Sequence, residues 1–168
     1  MKVKESIQKG GIYNLIIKLS KGKKIKIGRL GTFVFPKGFY VYTGSAQNCL
    51  EKRINRHISN IKKFHWHIDY LLSCAKIIEI LRYIGSRKDE CKLNCVIGKV
   101  AGATAIVKKF GSSDCNCITH LYYFKNIPTH FYKSLEYNRS FCYIFRHSCT
   151  FLLRCGNKLR MCLLERAI

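Results

Sequence analysis

The sequence predicts an α+β fold, a small antiparallel sheet flanked by helices, and three observations carry that expectation. Gly11 to Leu19 alternates, with Tyr13, Leu15, Ile17 and Leu19 on one face, as a strand of period two requires. Segments 23–28, 32–35 and 39–43 keep that texture and are separated only by short turns, Gly31 and Pro36-Lys37-Gly38 among them. Connections this short suit an antiparallel meander and cannot carry the crossovers of a parallel sheet. At Asn48 the period changes from that of a strand to that of a helix.

Asn48-Cys49-Leu50-Glu51 reads as an N-cap with an acid three residues on, a variant of the capping box. The helix that follows carries Leu50, Ile54, Ile58 and Ile61 on one stripe, and Arg53 and His57 share it. Lys52, Asn55, Ser59, Lys62 and Lys63 point away. A solvated Arg and His belong on the polar face, so a pair one turn apart and aimed at the sheet invites a chemical role. The competing reading is an Arg stem covering apolar surface and a His satisfied in the core.

His65-Trp66-His67-Ile68-Asp69 leads into a short helix carrying Ile68, Leu71, Leu72 and Ala75. Residues 76–84 read as a strand ending at Gly85. Ser86 with Asp89 makes a second cap, and a helix to about residue 99 turns Leu93, Ile97 and Ala101 inward, with Glu90 and Asn94 on that side. By position alone, Glu90 needs no explanation beyond the helix dipole. Residues 110–117 form a loop and 120–124 a closing strand, so the domain spans 1–125. From 126 to 168 the chain becomes aromatic and cysteine-rich with weak periodicity. It is read as a C-terminal extension of unassigned order, a helix or two docked on the domain being the form expected.

With 168 residues, 48% of them hydrophobic, the chain suits one domain with a core of its own. Lys and Arg number 31 against 9 acids, a net charge of +22. This excludes an enzyme of neutral substrates under no electrostatic demand and implies a polyanionic partner. Nucleic acid is the simplest, because neutralising phosphates releases their counterions; an anionic membrane or a ribosomal-type role is the alternative. The N-terminal MKVKESIQKGG has charges and no apolar stretch, so no secretory signal is expected. No run of about 18 uncharged apolar residues predicts a spanning helix. The 10 cysteines are therefore expected in a reducing cytoplasmic setting near the nucleoid, most of them as small buried hydrophobes.

Gly-Ile-Tyr at 11–13, Tyr-Thr-Gly at 42–44 and Glu-Lys-Arg-Ile-Asn-Arg-His at 51–57 together resemble the GIY-YIG nuclease family, with Thr43 in the middle of the second motif. The longer strings GRLGTFVFPKGFYVYTGSA, HWHIDYLL and FGSSDCNC resemble its compact stand-alone branch. That branch is long described as a domain of unknown function and is sometimes fused to an endonuclease III-like glycosylase. The resemblance covers about residues 10–125. It implies an active site on the sheet and Mg²⁺- or Mn²⁺-dependent hydrolysis of DNA phosphodiesters, structure- or context-selective. It further implies that Tyr13 acts as or assists the general base with Tyr42 alongside, that Arg53 steadies the phosphate, and that Glu90 holds the metal. His57 matches the helical His of the homing-endonuclease branch. Lys52, Arg56, Lys62, Lys63, His65 and His67 are the expected nucleic-acid contacts. The chain departs from the family by one extra residue between Gly44 and Arg53, and Asn94 and Asp114 are the candidates for the family's late Asn.

The implied chemistry is physically coherent. A pentavalent phosphorus gains negative charge, so a cation and a guanidinium at its non-bridging oxygens stabilise it more than the ground state. Tyr is a weak base at its ordinary pKa of ~10 and needs a metal, an Arg or a relay partner. One carboxylate suffices for Mg²⁺, which keeps several waters. Asp89 suits the cap, and neighbours on a helix diverge by about 100°, so Glu90 is the expected ligand. Cys115-x-Cys117-x-x-His120, with Cys91-x3-Cys95, offers ligands for a structural Zn²⁺. That spacing is not a standard knuckle, and reduced thiols beside the active face are the preferred reading. Two other classes stay open: a catalytically weak nucleic-acid-binding module in DNA repair or replication complexes, and a zinc-stabilised RNA-associated protein. Convergence of Tyr13, Tyr42, Arg53 and Glu90 on one cleft favours the enzyme, and a solvent-directed Glu90 favours the binder.

Overall fold

The computed structural model describes residues 10–61, 63–83, 85–128, 143–147, 150–155 and 158–162, the last three segments as backbone. In chain order the elements are β1 (Gly11–Leu19), β2 (Lys23–Ile27), β3 (Gly31–Phe35), β4 (Gly38–Ala46), α1 (Leu50–Ile58), α2 (His67–Leu72), β5 (Lys76–Tyr83), α3 (Arg87–Gly98), β6 (Leu121–Phe124), β7 (Tyr143–His147), β8 (Thr150–Cys155) and β9 (Lys158–Cys162). The arrangement is α+β and its strand pairs are antiparallel, as expected.

The strands do not form a simple meander. One sheet runs β6-β4-β1-β5-β7-β8-β9, and β2 and β3 form a separate ribbon. Burial explains the division. β1 is buried on both faces, with only Lys18 exposed, and takes β4 and β5 as long partners. β2 has one apolar face, Ile25 and Ile27, while Lys23, Lys24 and Lys26 are exposed. A strand with a lysine face cannot be central, so the ribbon instead packs Ile25, Ile27 and Phe35 into the core with Ile68 and Leu71 of α2.

Two apolar layers result. Tyr13, Leu15 and Ile17 on one face of β1 pack with Leu50 and Ile54 of α1 and with α2. Ile12 and Ile16 on the other face pack with Val41, Leu81, Tyr83 and the Leu93 and Ile97 stripe of α3. Truncating a side chain such as Ile54, fully buried here, to Ala is worth about 2–5 kcal/mol.

Several local expectations change. The N-cap of α1 is Cys49 rather than Asn48 and makes no side-chain capping bond, and Glu51 accepts from Arg82 Nε at 2.8 Å. The helix stops at Ile58, so Ile58 and Ile61 leave the buried stripe and are 55% and 94% exposed. Ala101 lies past the end of α3 and is exposed. The Ser86–Asp89 capping box is present: Asp89 Oδ2 accepts the Ser86 N–H at 2.9 Å and its hydroxyl at 2.8 Å. The Ser86 backbone bond first, then the bonds from Lys92 and the Ser86 hydroxyl, hold the Asp89 carboxyl down at about 2.

Where the C-terminal extension is described it is strand, not helix. β7 pairs with β5 through Arg82↔Ile144 and Tyr83↔Tyr143, and β8 and β9 continue the sheet. Among the described residues no helix is long and apolar enough to cross a membrane.

Candidate active site and metal cluster

The register of β1 against β4 sets Leu15 opposite Tyr42 and Tyr13 opposite Gly44. Tyr13 and Tyr42 are therefore diagonal neighbours on one face, with ring centroids 6.4 Å apart. Gly44 is required by that arrangement. A Cβ there would stand 2.5 Å from Tyr13 Oη, so the glycine lets the phenol lie across β4.

Behind the tyrosines stands His57, 3% exposed, with Nε2 2.8 Å from Tyr13 Oη. Burial pushes the Tyr13 phenol well above its ordinary pKa; Tyr42 adds to the shift, and the Arg53 charge opposes it. Tyr42 is raised as well, again by burial first and then by the Glu90 charge. Both phenols are thus neutral groups in the protein as it stands.

The motif's departure at Thr43 has a partner. On the opposite face of the sheet Tyr83 donates to Asn14 Oδ1 at 2.8 Å, and Asn14 Nδ2 donates to Thr43 Oγ1 at 2.9 Å. Asn14 and Thr43 are fully buried, so each polar group needs the other.

Arg53 and Arg56 both stack on Trp66, at 4.0 and 4.1 Å from the ring centroid. Arg53 lines the cleft with its guanidinium over the indole. Arg56 also grips Asp69 bidentately, at 2.9 and 3.0 Å, and Asp69 accepts the N–H groups of His65 and Trp66. Burial alone would raise the Asp69 carboxyl, but the bonds from Arg56, Trp66 and His65 outweigh it and hold the pKa low.

Across the cleft Glu90 enters from the first turn of α3. Its Oε2 accepts the Ser45 hydroxyl, and its Oε1 lies 3.0 Å from His120 Nδ1. The side chain is 14% exposed and faces the cleft rather than bulk solvent.

The cleft is about 850 Å³ and brings together Tyr13, Tyr42, Arg53 and Glu90, with Lys52, Arg56, His65 and His67 on its walls. His57 lies behind it. His67 Nδ1 accepts the Gly111 N–H at 3.0 Å, and burial lowers its pKa. His65 is exposed, edge-on to Trp66. Lys63 is exposed and contributes its carbonyl to Arg56; Lys62 lies outside the described residues. Asn94 is buried, donating to the Thr119 carbonyl at 2.7 Å, whereas Asp114 sits on the cleft rim paired with Arg87. Sequence reasoning did not find Asn14, Ser45 or Trp66 as site residues, nor Asp69 as the anchor of Arg56.

Cys91, Cys115, Cys117 and His120 converge, their ligand atoms all within 4.8 Å of one another. The four side chains named as possible zinc ligands thus form one group beside the cleft that could hold a metal ion. Burial, with the bonds and charges of Cys117 and Cys115, pushes the Cys91 thiol up to about 12. Crowded thiolates are unfavourable without a cation among them. Cys95 is exposed and outside the group.

The chain has no significant match among curated proteins or solved structures. Residues 12–141 match one family, and by that match, which spans most of the chain, the protein belongs to the family described as Domain of unknown function DUF123.

Proposed function

We propose that the protein is a divalent-metal-dependent endonuclease of GIY-YIG type that hydrolyses DNA phosphodiesters. The observation that supports this most is the meeting of Tyr13, Tyr42, Arg53 and Glu90 in one cleft. A pure binding module needs no neutral phenol pair buried beside a His, and no carboxylate sharing the cleft with a guanidinium.

Glu90 is the residue that would hold Mg²⁺ or Mn²⁺. A single hard carboxylate, oriented by Ser45 and His120 and open to the cleft, suits an ion that keeps most of its waters. Such an ion supplies Lewis-acid stabilisation of the phosphate charge. The chain's own groups do the rest. Arg53, held over the Trp66 ring, presents its guanidinium to a non-bridging phosphate oxygen. Burial opposes a Tyr13 phenolate, so Tyr13 works as a relay: it accepts a proton from the attacking water while its own proton passes to His57 Nε2. No phenolate has to form. Tyr42 packs against that pair and excludes water from it.

The +22 charge supports a DNA partner without specifying a sequence. Nicking of branched, single-stranded and duplex DNA with Mg²⁺, Mn²⁺ or EDTA tests the reading. Metal-dependent nicks are expected; DNA binding without cleavage of any of these substrates would replace it with the binding-module reading.

A further inference from the structure

The Cys cluster and the cleft carboxylate are joined by one imidazole. His120 Nε2 lies 3.4 Å from Cys115 Sγ, while its Nδ1 lies 3.0 Å from Glu90 Oε1. The ring is 2% exposed, and each of its nitrogens meets one of these two partners. We propose that Cys91, Cys115, Cys117 and His120 bind one Zn²⁺, and that this ion, acting through His120, sets the orientation of Glu90 in the cleft. The role given to Glu90 rests on the nuclease reading; the zinc site and its link to Glu90 do not.

The donor set and its dimensions argue for zinc. Three thiols and an imidazole are soft to borderline ligands that favour zinc over Mg²⁺ or Ca²⁺. With Zn–S of ~2.3 Å and Zn–N of ~2.0–2.1 Å, a tetrahedral site has S–S edges of ~3.8 Å and S–N edges of ~3.6 Å. The Cys115–His120 separation of 3.4 Å is already at that length, and the 4.8 Å limit on the rest asks for about an ångström of contraction. Four protein ligands close the site, which makes it structural rather than catalytic.

Ligation through Nε2 leaves Nδ1 as the N–H, so His120 must donate to Glu90. Without the ion the Glu90 carboxylate alone selects that tautomer; with it, the ring is also fixed from the Nε2 side. The same ion would tie the loop carrying Cys115 and Cys117 to α3 at Cys91, one residue after Glu90. That loop also supplies Ser113 and Asp114 to the cleft wall, and Asn94 of α3 already holds the Thr119 carbonyl beside it.

The test is Co²⁺ titration of the reduced full chain, compared with Glu90→Ala and with Asp89→Asn. One Co²⁺ per chain is expected, with thiolate charge-transfer absorption and the intense visible bands of a tetrahedral site; Zn²⁺ should displace it. Removing the carboxylate partner of a ligating His should weaken Co²⁺ binding roughly 10–100-fold, with the folded far-UV spectrum retained. Asp89→Asn, at the cap, should bind as the wild type. Absence of thiolate bands would overturn the zinc site, and unchanged Co²⁺ affinity in Glu90→Ala would overturn the link. Neither readout uses DNA, so an inactive chain with coupled Co²⁺ binding would remove the nuclease reading alone.

Discussion

Tyr13 Oη and His57 Nε2 meet at 2.8 Å inside the protein, across 44 residues of chain, and form its one buried phenol–imidazole bond among the described residues. The pair couples the strand bearing the first motif to the helix bearing the third. It also gives the phenol a proton acceptor where burial denies it a charge. Tyr13→Phe removes the relay and leaves His57 Nε2 without its phenol. Cleavage should fall ~10²–10⁴-fold. Urea unfolding should show a loss of about 1–3 kcal/mol from the lost buried bond at His57 Nε2. Near-normal single-turnover cleavage by Tyr13→Phe would exclude Tyr13 from the proton path.

Arg53 is half-buried against Trp66 and makes no salt bridge among the described residues, so its charge is available to a ligand. Arg53→Ala should leave folding and DNA affinity nearly intact and reduce cleavage ~100-fold or more. Arg53→Lys should not restore the rate, because an ammonium neither stacks on the indole nor offers a planar fork. Filter binding and nicking on the same samples separate the two effects. An Arg53→Ala protein as active as wild type would reduce this residue to a packing element.

The reading of the sequence succeeded where the signal was local or carried in a contiguous motif. Alternation marked β1, the Ser86–Asp89 spacing marked the start of α3, and the motif residues Tyr13, Tyr42 and Arg53 do line one cleft. What failed was long-range. Nothing near Lys23 states that β2 leaves the sheet, since that follows from its lysine face being unable to occupy a central position. Asn14, Thr43 and Tyr83 bond to one another only because β1 runs between β4 and β5. The second role of His120, against Glu90, joins a loop to a helix 30 residues away. β7 to β9 were missed because their segments show weak alternation and sit next to stretches with none.

Asp69 should make stability depend on acid pH. Its folded pKa is depressed, so its contribution is complete above the unfolded value and disappears as pH falls through the folded one. Wild type should therefore exceed Asp69→Asn most at neutral pH, and the gap should close below about pH 4. Breaking a buried charge pair costs about 3–5 kcal/mol at its largest. Arg56 is partly exposed, which places the expected neutral-pH difference at the lower end. Urea melts at pH 7 and pH 3 give the comparison. A gap that widens in acid would reverse the assignment.

Affinity for DNA should fall log-linearly with salt and depend little on sequence, because the chain carries a net charge of +22. If six or more phosphates are contacted, the loss between 50 and 200 mM salt is on the order of a thousandfold. A flat response would sink the polyanion argument.

Glu90 and Asp89 are adjacent in sequence and opposite in task. Asp89 spends its carboxylate on the Ser86 N–H and hydroxyl and on Lys92, outside the cleft. Glu90, about 100° further round the helix, reaches Ser45 and His120 at the cleft wall. Glu90→Gln keeps the shape and can still accept from Ser45, but it removes the negative charge a divalent ion needs. It should abolish Mg²⁺-supported cleavage while DNA still binds, and binding should strengthen slightly because one repulsive charge has left a phosphate-facing site. Asp89→Asn should cleave at the wild-type rate and lose only a cap, about 0.5–2 kcal/mol of stability. Raising Mn²⁺ should rescue a weakened site and not one without its ligand, so rescue of Glu90→Gln to the wild-type rate would deny Glu90 the metal. Loss of cleavage in Asp89→Asn with Glu90→Gln active would exchange the two roles.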